Sequence, residues 1–94
     1  MMQRTETLKL IEGLFTDAEA KEVLMNIFLS KIKFHEQRNF SHQERFGKPD
    51  EHAVQRIAMI RSSIENLQQL LADAGKNNQT LQIVANVNIA FQEK

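Results

Sequence analysis

The chain has 94 residues, its 12 Lys plus Arg are balanced by 12 Asp plus Glu, and 41% of its residues are apolar. This length and composition predict a single folded domain, 1–94. Zero net charge argues against a dedicated nucleic-acid-binding protein, which usually carries a large basic excess. The chain contains no cysteine, so it forms no disulfides, and we expect it in the reducing cytoplasm.

Membrane insertion and secretion are also argued against. A membrane-spanning helix needs about 20 predominantly apolar residues, and the chain has no such run. Charged residues interrupt the first fifteen positions, so we expect no apolar region of a secretory leader there. These residues are Arg4, Glu6, Lys9 and Glu12.

The first element, residues 6–15, has an ambiguous pattern. Leu8 and Leu10 flank Lys9, which is the alternation expected of a strand. Ile11, Leu14 and Phe15 fit one face of a helix equally well. The sequence therefore leaves a strand and a short helix open for this segment.

A long helix is predicted over residues 17–46. Thr16 and Glu19 have the spacing of a capping box, and no Pro or Gly follows before Gly47. A kink near residues 39–41 is the one irregularity we consider. Residues 23–32 carry large apolar side chains nearly all round the helix, so more than one element must pack there.

A second helix is predicted over residues 51–74, after a loop in which Gly47 ends one helix and Asp50 caps the next. Gly75 is predicted to end this second helix at its C-terminus. A short loop makes the helices antiparallel, with Phe40 near Val54 and Phe28 near Leu67 or Leu70. Seven apolar residues follow a 4-3 spacing typical of coiled coils, which we call the seam: Ala53, Ile57, Ile60, Ile64, Leu67, Leu71 and Ala74.

The last segment, residues 81–91, alternates as a strand does. β-branched residues and asparagines are weak helix formers, which favours a strand over a helix here. A lone strand needs a partner, and residues 6–15 are the available one. The predicted fold is α+β in the order β-α-α-β, a long antiparallel helical hairpin with a small terminal β ribbon; the alternative is an all-α bundle. We expect the apolar face of this segment to cover residues 23–32, with Val87 against Leu24 and Phe28. The face consists of Leu81, Ile83, Ala85, Val87, Ile89 and Phe91.

No catalytic, cofactor or metal site is predicted. His42 and His52 lie equally far from Gly47, so the hairpin could bring them together, with Glu44 or Glu51 as a third ligand. Such combinations arise often by chance. No nucleophile has a base at a productive spacing, and the sequence has no phosphate-binding glycine loop, so we predict that the protein is not an enzyme.

The hairpin tip is a candidate basic patch. Residues 31–48 hold five basic residues against two acidic ones, and Phe34, Phe40 and Phe46 lie among them. Basic residues interleaved with aromatics can bind nucleic acid, but we expect these phenylalanines to pack into the hairpin. The patch consists of Lys31, Lys33, Arg38, Arg45 and Lys48.

The sequence thus predicts a homodimeric interaction or structural module whose other protein partners and biochemical role it does not identify. Surplus apolar surface, in residues 23–32 and on the ribbon, exceeds what one small chain covers. The alternative function is that of a nucleic-acid-associated accessory protein acting through the basic tip. Neither function requires a cofactor.

Overall fold

Two helices and two terminal strands make up the protein in the computed structural model, which describes residues 4–94. The elements in chain order are β1 (Thr5–Phe15), α1 (Asp17–Phe46), α2 (Glu51–Lys76) and β2 (Leu81–Ala90). β1 and β2 pair into a two-stranded antiparallel sheet. The α+β prediction is confirmed over the all-α bundle, and the first segment is a strand.

Helix α1 begins and ends at the predicted signals. The Glu19 N–H donates to Oγ1 of Thr16 at 3.1 Å, and the Thr16 N–H donates to Oε1 of Glu19 at 2.9 Å, which completes the capping box. Gly47 ends the helix with φ 73°, a left-handed conformation that glycine adopts without steric cost. The helix continues through residues 39–41 without a break.

Helix α2 packs on α1 through the predicted seam. All seven seam residues are buried or half-buried, and every other residue of the helix is exposed. Phe28 packs against the cluster that contains Leu67, as expected for antiparallel helices. Phe40 and Val54, which were predicted to lie near each other, are 61% and 45% exposed, so neither side chain belongs to the buried interface.

The end of α2 differs from the prediction. The helix continues to Lys76, and the left-handed residue that follows it is Asn78, with φ 54°. Gly75 lies inside the helix, where a Cβ would come within 2.8 Å of Oδ2 of Asp17. The glycine therefore permits close approach of the two helix ends rather than stopping the helix.

The two strands pair along their whole length, from Thr5 opposite Ala90 to Phe15 opposite Leu81. A register shift between Lys9 and Ile11 gives β1 one extra residue. Because residues directly opposite each other share a face of the sheet, the shift places Leu8 and Ile11 on the same face. Without it, Leu8 would lie on the polar face.

The core is small and lies at the base of the ribbon. Ala20, Leu67 and Leu71 form its centre, against which other apolar side chains pack: Phe15, Leu24, Met25, Phe28, Leu81 and Ile83. We expected the whole ribbon to cover residues 23–32, with Val87 against Leu24 and Phe28. That expectation is wrong, since only the base of the ribbon reaches the cluster and Val87 is 37% exposed.

The molecule is extended and flat, with principal extents of 50 × 38 × 15 Å. Its radius of gyration is 17.0 Å, against about 12 Å for a compact chain of this length. α1 is about 45 Å long and the ribbon about 33 Å, and both exceed the 15 Å depth. Placed end to end, the two would span about 78 Å, more than the longest extent of 50 Å, and only the base of the ribbon packs on the core cluster. The ribbon therefore projects as a second arm at an angle to the hairpin.

Candidate interaction surfaces

The ribbon has one apolar face that is only partly covered. The register places Leu8 and Ile11 of β1 on this face, together with the alternate residues of β2. Ile11 is buried, whereas Leu8, Val87 and Ile89 are 57%, 37% and 40% exposed. The outer half of the face is therefore apolar and open, and contiguous apolar surface of this kind commonly marks an interaction site.

The opposite face of the ribbon is mainly polar. Thr7 donates through Oγ1 to Oδ1 of Asn88 at 3.1 Å across the two strands. Lys9 and Glu12 form an exposed ion pair at 2.8 Å along β1. These exposed polar groups form hydrogen bonds and an ion pair with one another, which indicates that this face of the ribbon is in contact with water.

Contrary to the prediction, the phenylalanines of the hairpin tip do not pack into the hairpin. Phe34, Phe40 and Phe46 are each more than half exposed. The side of α1 that faces α2 at this end is formed instead by smaller or polar residues, and Ile32, His35, Asn39 and His42 are the least exposed positions there. The tip therefore displays aromatic rings beside its basic residues.

The structure brings only part of the basic patch together. Arg38 and Arg45 line an open groove of about 820 Å³ with Phe34, His42 and Phe46. The Arg38 guanidinium carbon lies 5.3 Å from the centroid of the Phe34 ring, within the range of a cation–π contact. The acidic residues Glu44 and Asp50 line the same groove, so its charge is mixed.

The other three basic residues lie outside this groove. Lys31 and Lys33 are exposed on the middle turns of α1, and Lys48 is exposed in the loop. Lys33 lines a separate shallow groove with Phe40. The predicted patch is thus spread over more than one face of the tip.

Two polar side chains of α1 hold the loop, a role that the sequence pattern did not predict. The Asp50 N–H donates to Oδ1 of Asn39 at 2.8 Å, and Nδ1 of His42 lies 2.9 Å from the Lys48 carbonyl oxygen. Both residues lie on the side of α1 that faces α2, close in sequence to the loop. That position was the one sequence feature from which this role could have been predicted. His42 is therefore engaged in the connection between the helices.

Within residues 4–94, no three His, Cys, Asp or Glu side chains are grouped so that they could hold a metal ion. In the same range every buried side chain is apolar. Neither helix has a stretch both long and apolar enough to cross a bilayer.

Comparison of the chain with protein-family models, curated proteins and solved structures found no match. The chain is therefore classified by its architecture alone, as a β-α-α-β protein with a helical hairpin and a projecting β ribbon.

Proposed function

We propose that this chain acts as a homodimeric interaction module rather than an enzyme, in which a second copy covers surface that one chain leaves open. The observation that carries the proposal is an accessible surface of 7922 Å², against about 5,600 Å² for a compact monomer of this size. The excess, about 2,300 Å², is larger than the roughly 800 Å² that each partner contributes to a standard interface.

The small core supports the same proposal. Eight residues of the described chain are buried apolar residues, and three of these are alanines. A core of this size gives a short chain little stability, and such chains commonly rely on disulfides, metals or a partner. Without cysteine there is no disulfide, so association with a second copy is the support we propose.

The character of the exposed face favours an identical partner. In a twofold dimer each apolar patch lies against or beside its own copy, so it must be free of like charges that would repel. Leu8, Val87 and Ile89 meet this condition, and Glu6, opposite Ile89, is the one charged residue that the register places on this face. Glu6 pairs with Arg4 at 3.1 Å, which offsets its charge.

Light scattering after gel filtration at micromolar concentration tests the proposal. We expect twice the chain mass for the wild type, and the mass of one chain for Val87→Asp, because a carboxylate would interrupt the apolar face. Leu14→Asp is the matched control: it makes the same kind of change at a side chain that is 71% exposed on the polar face of β1, and it should remain dimeric. A monomeric wild type, or a dimeric Val87→Asp, contradicts the proposal.

Nucleic-acid binding at the tip is the second candidate function. The observation that favours it is the exposure of Phe34, Phe40 and Phe46 beside Arg38 and Arg45. Exposed rings can stack on unpaired bases while guanidinium groups contact phosphates. The acidic residues in the same groove weaken the local positive potential, so we rank this function below the dimer.

Mobility shift of single- and double-stranded probes at low salt tests the second candidate. If the tip binds nucleic acid, the affinity for the probes should fall steeply as the salt concentration rises. A variant with glutamine at Lys31, Lys33, Arg38 and Arg45 should lose the shift, whereas Lys21→Gln and Lys76→Gln, near the other end of the hairpin, should keep it. Absence of any shift with the wild-type protein rejects this function.

A further inference from the structure

The outer edge of β2 is unusually well suited to pair with another strand. From Leu81 to Ala90 the strand has no charged residue, no proline and no glycine. It is rich in β-branched residues, which favour strands. Proteins usually protect exposed strand edges with charges, prolines or bulges, and β2 has none of these.

The edge of β1 is protected in the usual way. Glu6, Lys9 and Glu12 lie along it, and the register shift between Lys9 and Ile11 interrupts its regular pattern. Charges and bulges both disfavour pairing with a further strand. The two edges of the same ribbon therefore differ, and β2 provides the open one.

The hydrogen bonds show which residues of β2 face outward. Just beyond the strand, the Phe91 N–H donates to the Arg4 carbonyl oxygen at 2.9 Å. Backbone groups along a strand point alternately to its two sides, so the odd-numbered residues of β2 turn toward β1. The even-numbered residues turn toward the open edge: Gln82, Val84, Asn86, Asn88 and Ala90.

We infer that two copies pair antiparallel along their β2 edges about a twofold axis, forming one four-stranded sheet in the order β1-β2-β2-β1. This inference rests on the proposed homodimer and specifies its interface. Centring the axis on Asn86 lets all five outward residues form backbone hydrogen bonds. Asn86 then lies opposite its own copy, and Val84 lies opposite the partner's Asn88.

The same register matches the apolar faces. Ile83 lies opposite the partner's Ile89, and Ala85 lies opposite the partner's Val87, so a small side chain meets a larger one. Ile83 belongs to the base of the ribbon, which packs on the hairpin, whereas Ile89 belongs to the open outer half. Antiparallel pairing thus places the uncovered end of each ribbon beside the covered base of the other.

Single cysteines test this interface directly, because the chain has none of its own. In an antiparallel pair the Cα atoms opposite each other are about 5.5 Å apart or less, within the range a disulfide spans. We expect Asn86→Cys to form a covalent dimer on mild oxidation. Val84→Cys and Asn88→Cys should cross-link efficiently only when the two variants are mixed.

Lys9→Cys on β1 is the matched control for cross-linking. In the proposed sheet the two β1 strands are separated by three strand spacings, about 14 Å, so this variant should not cross-link. If the wild type is dimeric and none of the β2 cysteines cross-links, or Lys9→Cys does instead, the β2 interface is wrong while the homodimer stands. If the wild type is monomeric, both the interface and the proposed function are wrong.

A charge at the twofold axis gives an independent measurement. Asn86→Lys places two like charges opposite each other, which destabilises a strand pair, so we expect the mass to fall to that of one chain with unchanged far-ultraviolet circular dichroism. Asn86→Thr keeps an uncharged strand-forming residue there and should remain dimeric. A dimeric Asn86→Lys would overturn the inference.

Discussion

Leu67→Ala is expected to lower the free energy of unfolding by about 2–5 kcal/mol, the range for buried leucines. Leu67 is buried at the centre of the core cluster with Ala20 and Leu71, and Phe28 packs against that cluster. Removing the side chain leaves a cavity where the two helices and the ribbon base meet. Chemical denaturation at one fixed protein concentration measures the effect, since stability of an oligomer depends on concentration.

Leu70→Ala is the matched control on the same helix. Leu70 is 61% exposed, so its truncation removes little buried surface and should change the free energy of unfolding by no more than about 0.5 kcal/mol. If both variants lose the same amount, the seam is not the main support of the hairpin. A loss of less than about 0.5 kcal/mol for Leu67→Ala would contradict the antiparallel packing.

Deletion of residues 79–94 is expected to abolish cooperative unfolding or cause aggregation. β2 is the sole partner of β1 within the described chain, so the deletion leaves the backbone groups of an 11-residue strand unpaired. It also removes Leu81 and Ile83, which pack against the core cluster. Thermal unfolding followed by circular dichroism, together with light scattering, measures the outcome.

A shorter deletion separates this effect from loss of a tail. Removing residues 92–94 keeps every pair of the strand register and the hydrogen bond from Phe91 to Arg4, so stability should be unchanged. If the protein that lacks residues 79–94 is also soluble and as stable as the wild type, the terminal strand contributes nothing to the fold and the ribbon is dispensable.

The helices were predictable because their signals are local. Thr16 with Glu19 and Asp50 with the N–H groups that follow it satisfy helix N-termini within three residues, so no distant contact is needed to form them. The 4-3 spacing of the seam likewise predicted which side of α2 is buried, because helix geometry fixes which residues share a face.

The first strand and the tip were harder to predict because their environment depends on distant residues. Residues 6–15 alternate incompletely, and only pairing with β2, more than sixty residues away, determines that they form a strand. The extra residue near Leu10 changes which side chains share a face, and no local pattern reveals it. Their apolar side chains predict that Phe34, Phe40 and Phe46 pack inside the hairpin. In the structure Asn39 and His42 are less exposed than these rings and hold the loop.

The sequence by itself predicted the two helices and the last strand, the N-caps of both helices, and which side of α2 forms the seam. Each of these depends on periodicity or on hydrogen bonds between close neighbours. The tertiary structure alone decided how far the ribbon reaches, that Val87 and Ile89 remain open, and which strand edge is unprotected. These features depend on the angle between the ribbon and the hairpin and on pairing between the chain's two ends, which no local pattern of residues encodes.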